Sequence, residues 1–311
     1  MGSSCALSVV GGYGINRIQE KGGVGKTEIL CRQGPQSNQL ERHGFAMRVM
    51  TFNLRFENER DGDNAWQFRR DKVVSIIQHY RPGILGTQEG KWPQLMYLQE
   101  QLPEYVAHLP GRVPDAKSQC PTLFFRRDSF EIESGRDFWL SKTPEVHLSK
   151  DWDSAYPRML SWATVRMQKQ RVRLTAAVTH LDHVGVEARL QQARIISDWA
   201  GRQDLPVLLL GDFNADPESA VHSVLTEPEL DLRDTWQVLG GAEDADSFTH
   251  HGFTGIPRHA RMDWILASPC FAVMDARIIR ESCGGVYPSD HYPYMADLKV
   301  KDLSGGPSGS C

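Results

Sequence analysis

Long apolar runs are missing from this chain, and with them any helical segment of membrane-spanning length. The N-terminus has no charged start followed by an apolar stretch, so no secretory signal is expected. Gly2 is present, but Ala6 stands where myristoylation needs Ser or Thr. Cysteine is sparse. Cys5, Cys31, Cys120, Cys270, Cys283 and Cys311 include no CxxC pair, which argues against zinc ribbons, thioredoxin-like redox chemistry and a dense disulfide framework. A reducing, cytoplasmic setting fits that pattern. A large charge excess is lacking too. The net charge is −4, so no global positive field draws the chain to nucleic acid or an anionic membrane. The 35 Lys and Arg still leave room for a local basic groove.

What remains is ordinary globular material, 40% hydrophobic and 24% charged over 311 residues, enough to bury a substantial core. Residues 1–46 are rich in Gly, Gln and Ser without sustained periodicity and are expected to form a poorly ordered leader. Met47 directly precedes the first convincing strand and could be the true start of translation. Residues 304–311 are rich in Gly, Ser and Pro and read as a flexible tail, leaving 47–303 as one domain. The leader contains Lys21-Gly22-Gly23-Val24-Gly25-Lys26-Thr27, which matches a deviant P-loop. A P-loop needs a buried strand before it and a helix after it. Gly14 to Glu20 make a poor strand, and Gly34-Pro35 follows almost at once, so a chance match is the better reading.

From Met47 onward the pattern is regular. Strands are expected at Arg48–Asn53, Gly83–Gln88, Thr122–Arg126, Glu131–Leu140, Met159–Met167, Val172–Thr179, near Val207, and at Met262–Ala267, Ala272–Ile279 and Tyr294–Val300. Asn64 could cap a helix whose apolar face is Trp66, Val73, Ile77 and Tyr80. Further helices are expected at Trp92–Gln101, at Val186–Ala200 with a stripe of Val186, Leu190, Ala193 and Ile196, and after Asp216-Pro217. Strands outnumber helices and come partly as neighbouring hairpins. That predicts an α/β four-layer sandwich, two mixed β-sheets face to face with helices outside.

The chemistry lies where apolar runs stop. Val49-Met50-Thr51-Phe52 ends at Asn53, Ile84-Leu85-Gly86-Thr87-Gln88 at Glu89, and Ala177-Val178-Thr179 at His180. Pro206-Val207-Leu208-Leu209-Leu210 runs into Gly211-Asp212-Phe213-Asn214; at a strand end, positions two apart point to the same side. Asp263 opens the run Trp264-Ile265, and Asp290-His291 precede the last strand. This ordered set resembles the endonuclease/exonuclease/phosphatase superfamily, whose fold is deoxyribonuclease I-like. Arg55, Asp61 to Trp66, Phe138-Trp139-Leu140-Ser141, Pro157-Arg158 and His180-Leu181-Asp182-His183 are similar to a mostly microbial branch. Nocturnin-like and deadenylase-like nucleases look like more distant relatives.

The resemblance implies a phosphoester hydrolase, a phosphodiesterase or nuclease, using Mg²⁺ or Mn²⁺. Phosphoester hydrolysis needs an in-line water, a base for it and neutralised charge on phosphorus. Glu89 is the first choice of metal ligand, with Asn53 supporting through its carbonyl and Asp290 directly or through water. The set lacks thiolates and tight His clusters, which disfavours zinc. Asp212 is the expected general base, Asn214 its phosphate-side companion, His291 the stabiliser of charge at phosphorus, Asp263 the group orienting His291, and His180 a second phosphate donor. Read alone, Asp263 could simply pair with Arg261. Arg55 and Arg158 suit phosphate recognition or structural ion pairs equally well. Asp61 to Asn64 lacks EF-hand spacing and reads as a turn, and Trp139, Trp152 and Trp162 as packing residues rather than base platforms. His183 is expected near the site or at a helix entry.

Substrate is less constrained, because fold and core serve many phosphoesters. A nucleotide or RNA 3′ end fits the acidic net charge better than non-specific DNA. A phosphomonoesterase acting on a small or lipid-derived phosphate is the alternative, and an ATPase switch built on residues 21–27 ranks below it. The chain is expected to be monomeric, with no obligate protein partner.

Overall fold

Alternation along the strands decides the layering. Val49, Leu208, Leu210, Ala176, Val178, Ile265 and Ala296 turn one way into a shared apolar cluster. Their neighbours turn the other way, Met50, Phe52, Leu85 and Met295 into a second cluster, Ala177, Leu209 and Leu266 into a third. Strands with both faces apolar read as continuous runs and are buried on both sides.

The structure is a computed structural model that describes residues 46–170, 172–282 and 284–301. The expected leader through residue 45, its P-loop-like segment and the 304–311 tail lie outside the described residues. The elements are, in order, β1 (Ala46–Asn53), a 3₁₀ turn (Glu59–Asn64), α1 (Trp66–Tyr80), β2 (Ile84–Gln88), α2 (Trp92–Gln101), β3 (Tyr105–His108), β4 (Thr122–Arg126), β5 (Phe130–Trp139) and β6 (Met159–Met167). Then come β7 (Arg173–His180), α3 (Val186–Ala200), β8 (Val207–Asp212), α4 (Ala220–Leu225), β9 (Arg233–Asp234), α5 (Thr235–Val238), β10 (Asp263–Ala267), β11 (Phe271–Ile278) and β12 (Tyr294–Val300).

These strands form two six-stranded mixed sheets, ordered β11-β12-β1-β2-β4-β3 and β5-β6-β7-β8-β10-β9. Each has a parallel pair at its centre, β1 with β2 and β7 with β8, and antiparallel pairs elsewhere. A parallel pair needs a crossover, and α1 and α3 supply it. Helices α1 and α2 cover the outer face of the first sheet through Val73, Ile77, Leu95 and Leu98. Helices α3 and α4 cover the second through Ala193, Ile196, Val221 and Leu225. The result is the expected α/β sandwich. The sheets approach closely at Gly86, where an added Cβ would stand 2.9 Å from Val178 Cγ2.

Three local expectations need correction. Asn64 does not cap α1: the N-cap is Ala65, with no side-chain bond, and Asn58 instead caps the preceding 3₁₀ turn. On α3 the buried stripe is Ala188, Gln192, Ala193, Ile196, Ser197 and Ala200, while Val186 is exposed. The helix is rotated because buried Gln192 Oε1 accepts the Asp182 backbone N–H at 2.9 Å. Strand β3 was not expected, since four residues between Pro103 and Pro110 carry too short a pattern.

Candidate active site

The parity that fills the inter-sheet layer also furnishes its end. Counting by twos from Val49, Leu208, Val178 and Ile265 reaches Asn53, Asp212, His180 and Asp263. The last polar residues of β1, β8 and β7 and the first of β10 therefore converge at one end of the sandwich. Within the second sheet, His180 pairs with Asp212 across β7 and β8, and Asp263 with Asp212 across β10 and β8. Asn53, Asp212, His180 and Asp263 are all buried.

Two loops complete the cluster. Glu89 lies one residue past β2 with φ +64°, which turns its half-buried side chain back toward β1. Its Oε1 accepts from Asn53 Nδ2 at 3.2 Å and its Oε2 from the Phe56 backbone at 3.0 Å. The segment before β12 brings Asp290 and His291, with Ser289 Oγ donating to the Asn53 carbonyl at 2.6 Å. Arg55 and Asn214 also have positive φ, +53° and +47°. Non-glycine residues in this region are strained and gather at functional sites.

Asn53 is the hinge of the arrangement. Its amide nitrogen donates to Glu89 and, at 2.9 Å, to Asp212 Oδ2, while its oxygen accepts the Arg55 backbone N–H at 2.9 Å. The other Asp212 oxygen accepts the Asn214 backbone N–H at 2.9 Å. Asn214 lies beyond the end of β8, so a tight turn rather than strand alternation joins it to Asp212. Its side chain donates to the Leu181 carbonyl at 3.0 Å. His291 Nδ1 meets Asp263 Oδ2 at 2.9 Å, and its Nε2 faces Asp212 Oδ2 at 3.8 Å. His180 Nε2 lies 3.5 Å from the same oxygen. Arg261 pairs with Asp234 and Glu243, leaving Asp263 to the histidine.

Electrostatics separate the members. Burial pushes the Asp212 carboxyl up to about 7, against the opposing pull of His291. Burial works against charge on His291, but Asp263 and Asp212 outweigh it and hold this imidazole well above the usual range. Burial, followed by Arg158 and His291, holds His180 well below that range, so it stays neutral. Asp212, Asp263 and His291 offer ligand atoms within 4.8 Å of one another and could hold a metal ion.

The arginines are tied down. Arg55 makes a two-pronged pair with Asp61 at 3.0 Å and lies 3.8 Å from Asp290. Arg158 is buried, 3.6 Å from Asp182, and its Nη2 donates to His183 Nδ1 at 3.1 Å. Of the tryptophans, Trp139 meets His147 edge-on and Trp162 leans on Trp199, while Trp152 carries Lys142 over its ring.

Sequence reasoning missed Arg69. It is fully buried on α1 and donates to the carbonyls of Arg55 at 2.6 Å, Asn64 at 2.9 Å and Pro288 at 3.0 Å, and to that of Leu54. It joins the loop after β1 to the segment carrying Asp290. An arginine read as a charge on a helix gives no hint of this. The only available signal is its position in register with Trp66 and Val73.

A model of the Endonuclease/Exonuclease/phosphatase family matches residues 50–291. A search of curated proteins finds no match. Among solved structures, an endonuclease/exonuclease/phosphatase from Bacteroides vulgatus is 30% identical, with a TM-score of 0.76 over 83% of this chain and 100% of that one. A mannosyl-6-phosphatase from Bacteroides thetaiotaomicron is 29% identical, TM-score 0.73, over 82% of this chain and 100% of that one. The human Nocturnin catalytic domain, 21% identical over 82% of this chain and 94% of that one with a TM-score of 0.63, shares the fold. Among the described residues no helix is long and apolar enough to cross a membrane. With its sandwich, its convergent strand ends and a family model spanning most of its length, the chain belongs to the endonuclease/exonuclease/phosphatase family of hydrolases.

Proposed function

We propose that the chain is a divalent-metal-dependent phosphoester hydrolase in which Asp212 takes the proton of the attacking water. The observation that carries this reading is the Asn53 amide, which joins Glu89 at 3.2 Å to Asp212 at 2.9 Å. One group thus holds a half-exposed carboxylate suited to a hard cation beside a buried one suited to a proton. Glu89 and Asp290 are the ligands we assign to Mg²⁺ or Mn²⁺, and the Asn53 oxygen keeps one lone pair for it. The Asp212, Asp263 and His291 group fits a metal less well: an imidazolium bonded to a carboxylate has no lone pair to offer. When bound, the cation would neutralise charge on the phosphoryl oxygens.

The remaining steps belong to the chain. Asp212, raised by burial, accepts the water proton near neutral pH. His291, charged and oriented by Asp263, donates toward the oxygen on which negative charge grows. Neutral His180 donates a second hydrogen bond to phosphate. Asn214 fixes the Asp212 carboxylate through its backbone N–H. Arg55 at the rim and buried Arg158 add positive charge while anchored by Asp61 and Asp182.

A second reading, phosphomonoester hydrolysis, is favoured by the mannosyl-6-phosphatase that matches over its whole length at 29% identity. The nuclease reading draws on the fold likeness to Nocturnin. The test is a panel of bis-p-nitrophenyl phosphate, oligo-RNA, abasic DNA, inositol phosphates and mannose 6-phosphate with Mg²⁺ or Mn²⁺. Wild type, Glu89→Ala and His291→Ala are compared, and turnover should collapse in both variants. Equal turnover in all three proteins would remove the assignment. Preference for monoesters over diesters would select the second reading.

A further inference from the structure

Beside the phosphate chemistry stands an exposed aromatic pair that no step above uses. Tyr156 is 55% exposed, and its ring stacks on exposed His183 with centroids 5.7 Å apart and planes at 19°. The Arg158 guanidinium sits 5.7 Å from the Tyr156 centroid and reaches back to the site, where it feels the charges of Glu89 and Asp212.

This pair is held in place. Asp182, fully buried, accepts backbone N–H bonds from Ala155 at 3.0 Å and Tyr156 at 3.1 Å on one oxygen. Its other oxygen accepts from Val184 at 3.0 Å and Gly185 at 2.7 Å. The carboxylate therefore fastens the loop before β6 to the loop after β7, with Tyr156 on one and His183 on the other. Arg158 can only donate, so His183 Nδ1 accepts and its proton resides on Nε2. The shelf thus offers an apolar ring face, a ring N–H and a phenol hydroxyl. A large exposed aromatic fixed at the backbone loses little freedom when a ligand covers it.

We propose that Tyr156 and His183 form a ring-binding subsite that takes the alcohol part of the substrate, and that this part is a single sugar ring carrying the phosphate. The inference rests on the phosphoester-hydrolase reading above and names its substrate class. The apolar C–H face of a sugar lies on Tyr156, and its hydroxyls meet His183 Nε2–H and the phenol. One stacked pair accommodates one ring, and a net charge of −4 gives no global positive field to draw in a polynucleotide.

The experiment compares mannose 6-phosphate, adenosine 5′-monophosphate and ring-free glycerol 3-phosphate on wild type, Tyr156→Ala and Tyr156→Phe. The ratio of kcat/KM for mannose 6-phosphate over glycerol 3-phosphate should fall about tenfold in Tyr156→Ala and be largely kept by Tyr156→Phe, as stacking of this kind allows. An unchanged ratio in Tyr156→Ala overturns the proposal, as does a loss confined to the nucleotide. A binding arm needs no turnover: in an Asp212→Asn background, saturation-transfer NMR should show mannose 6-phosphate ring protons in contact, and adding Tyr156→Ala should abolish the signal. Equal transfer with and without Tyr156 overturns the subsite. If wild type hydrolyses no phosphoester while the binding arm succeeds, the hydrolase reading fails and the subsite stands.

Discussion

The two sheets of the sandwich repeat one framework and end it differently. In each, a central parallel pair is joined by a helix, β1-α1-β2 in the first and β7-α3-β8 in the second. The strands of each pair deliver an amide or imidazole and a carboxylate: Asn53 with Glu89, His180 with Asp212. Glu89 lies outside its strand and half-exposed, whereas Asp212 is the last residue of β8 and 1% exposed. One residue of chain length thus separates a carboxylate left half-open to solvent from one whose proton affinity burial has raised. The loops after the first strands mirror each other in charge. Arg69 donates to carbonyls to hold the first, and Asp182 accepts backbone N–H groups to hold the second. Backbone at a strand end can be fixed from either side of its polarity, and the choice decides which charge is left near the site.

The sharpest break of this comparison exchanges charge for an amide at each end. Asp212→Asn should lower kcat about 10²–10⁴-fold with little change in the metal concentration giving half-maximal rate. Glu89→Gln should raise that concentration by an order of magnitude or more. Titrating Mn²⁺ against initial rate in both variants checks this. The same response in both would mean that the ends are not divided in role.

Next in size is the anchor of the second loop. Asp182→Ala leaves several buried N–H groups without acceptors and should cost about 3 kcal/mol, a fall in Tm on the order of 10 °C. Burial alone would raise the Asp182 carboxyl, but the N–H donors of Gly185, Tyr156, Val184 and Ala155 outweigh it and hold it at about 2. A carboxylate lowered on folding stabilises above the ordinary carboxylate range and loses that contribution as pH falls toward 2. The Tm difference between wild type and Asp182→Ala should therefore be full at pH 6 and shrink as pH falls from about 4 to 2.

The pH dependence of turnover tests Asp212, with a change of about tenfold per pH unit on its protonated side. An acid raised to about 7 is protonated below that value and cannot accept the water proton. kcat should therefore climb with pH on an acidic limb, near 7 or lower once a cation is bound, and Asp212→Asn should flatten that limb. A profile that keeps its limb in the variant would assign it to another group.

Much of this was legible because burial on both faces writes strands as apolar runs, and a polar residue that interrupts such a run marks its end. Asn53, Glu89, His180, Asp212, Asp263, Asp290 and His291 were visible for that reason, and the structure brings them together. The residues that hold the loops were not. Arg69 and the carboxylate of Asp182 act on backbone atoms, some of them far away in sequence, and no pattern of side chains records which carbonyl or N–H group will need a partner. Asn64 misled because its place before Trp66 fits a cap, while the 3₁₀ turn ahead of it shifts the true N-cap to Ala65. Tyr156 gave no signal at all, since its role depends on a stacking partner 27 residues on.

The smallest effect tests whether the different position of Glu89 is itself strained. At φ +64° any side chain crowds its own backbone, and glycine escapes that cost. Glu89→Ala and Glu89→Gly both lose the bonds to Asn53 and Phe56, so their difference isolates the backbone term. Glu89→Gly should be more stable than Glu89→Ala by about 1 kcal/mol, read as a Tm gap of about 2–4 °C. The same pair of substitutions at Asp212, inside a regular strand, should reverse the order, because glycine there only adds freedom to the unfolded chain. Alanine favoured at both positions would mean that the first sheet stores no strain at its end, and that only burial distinguishes the two carboxylates.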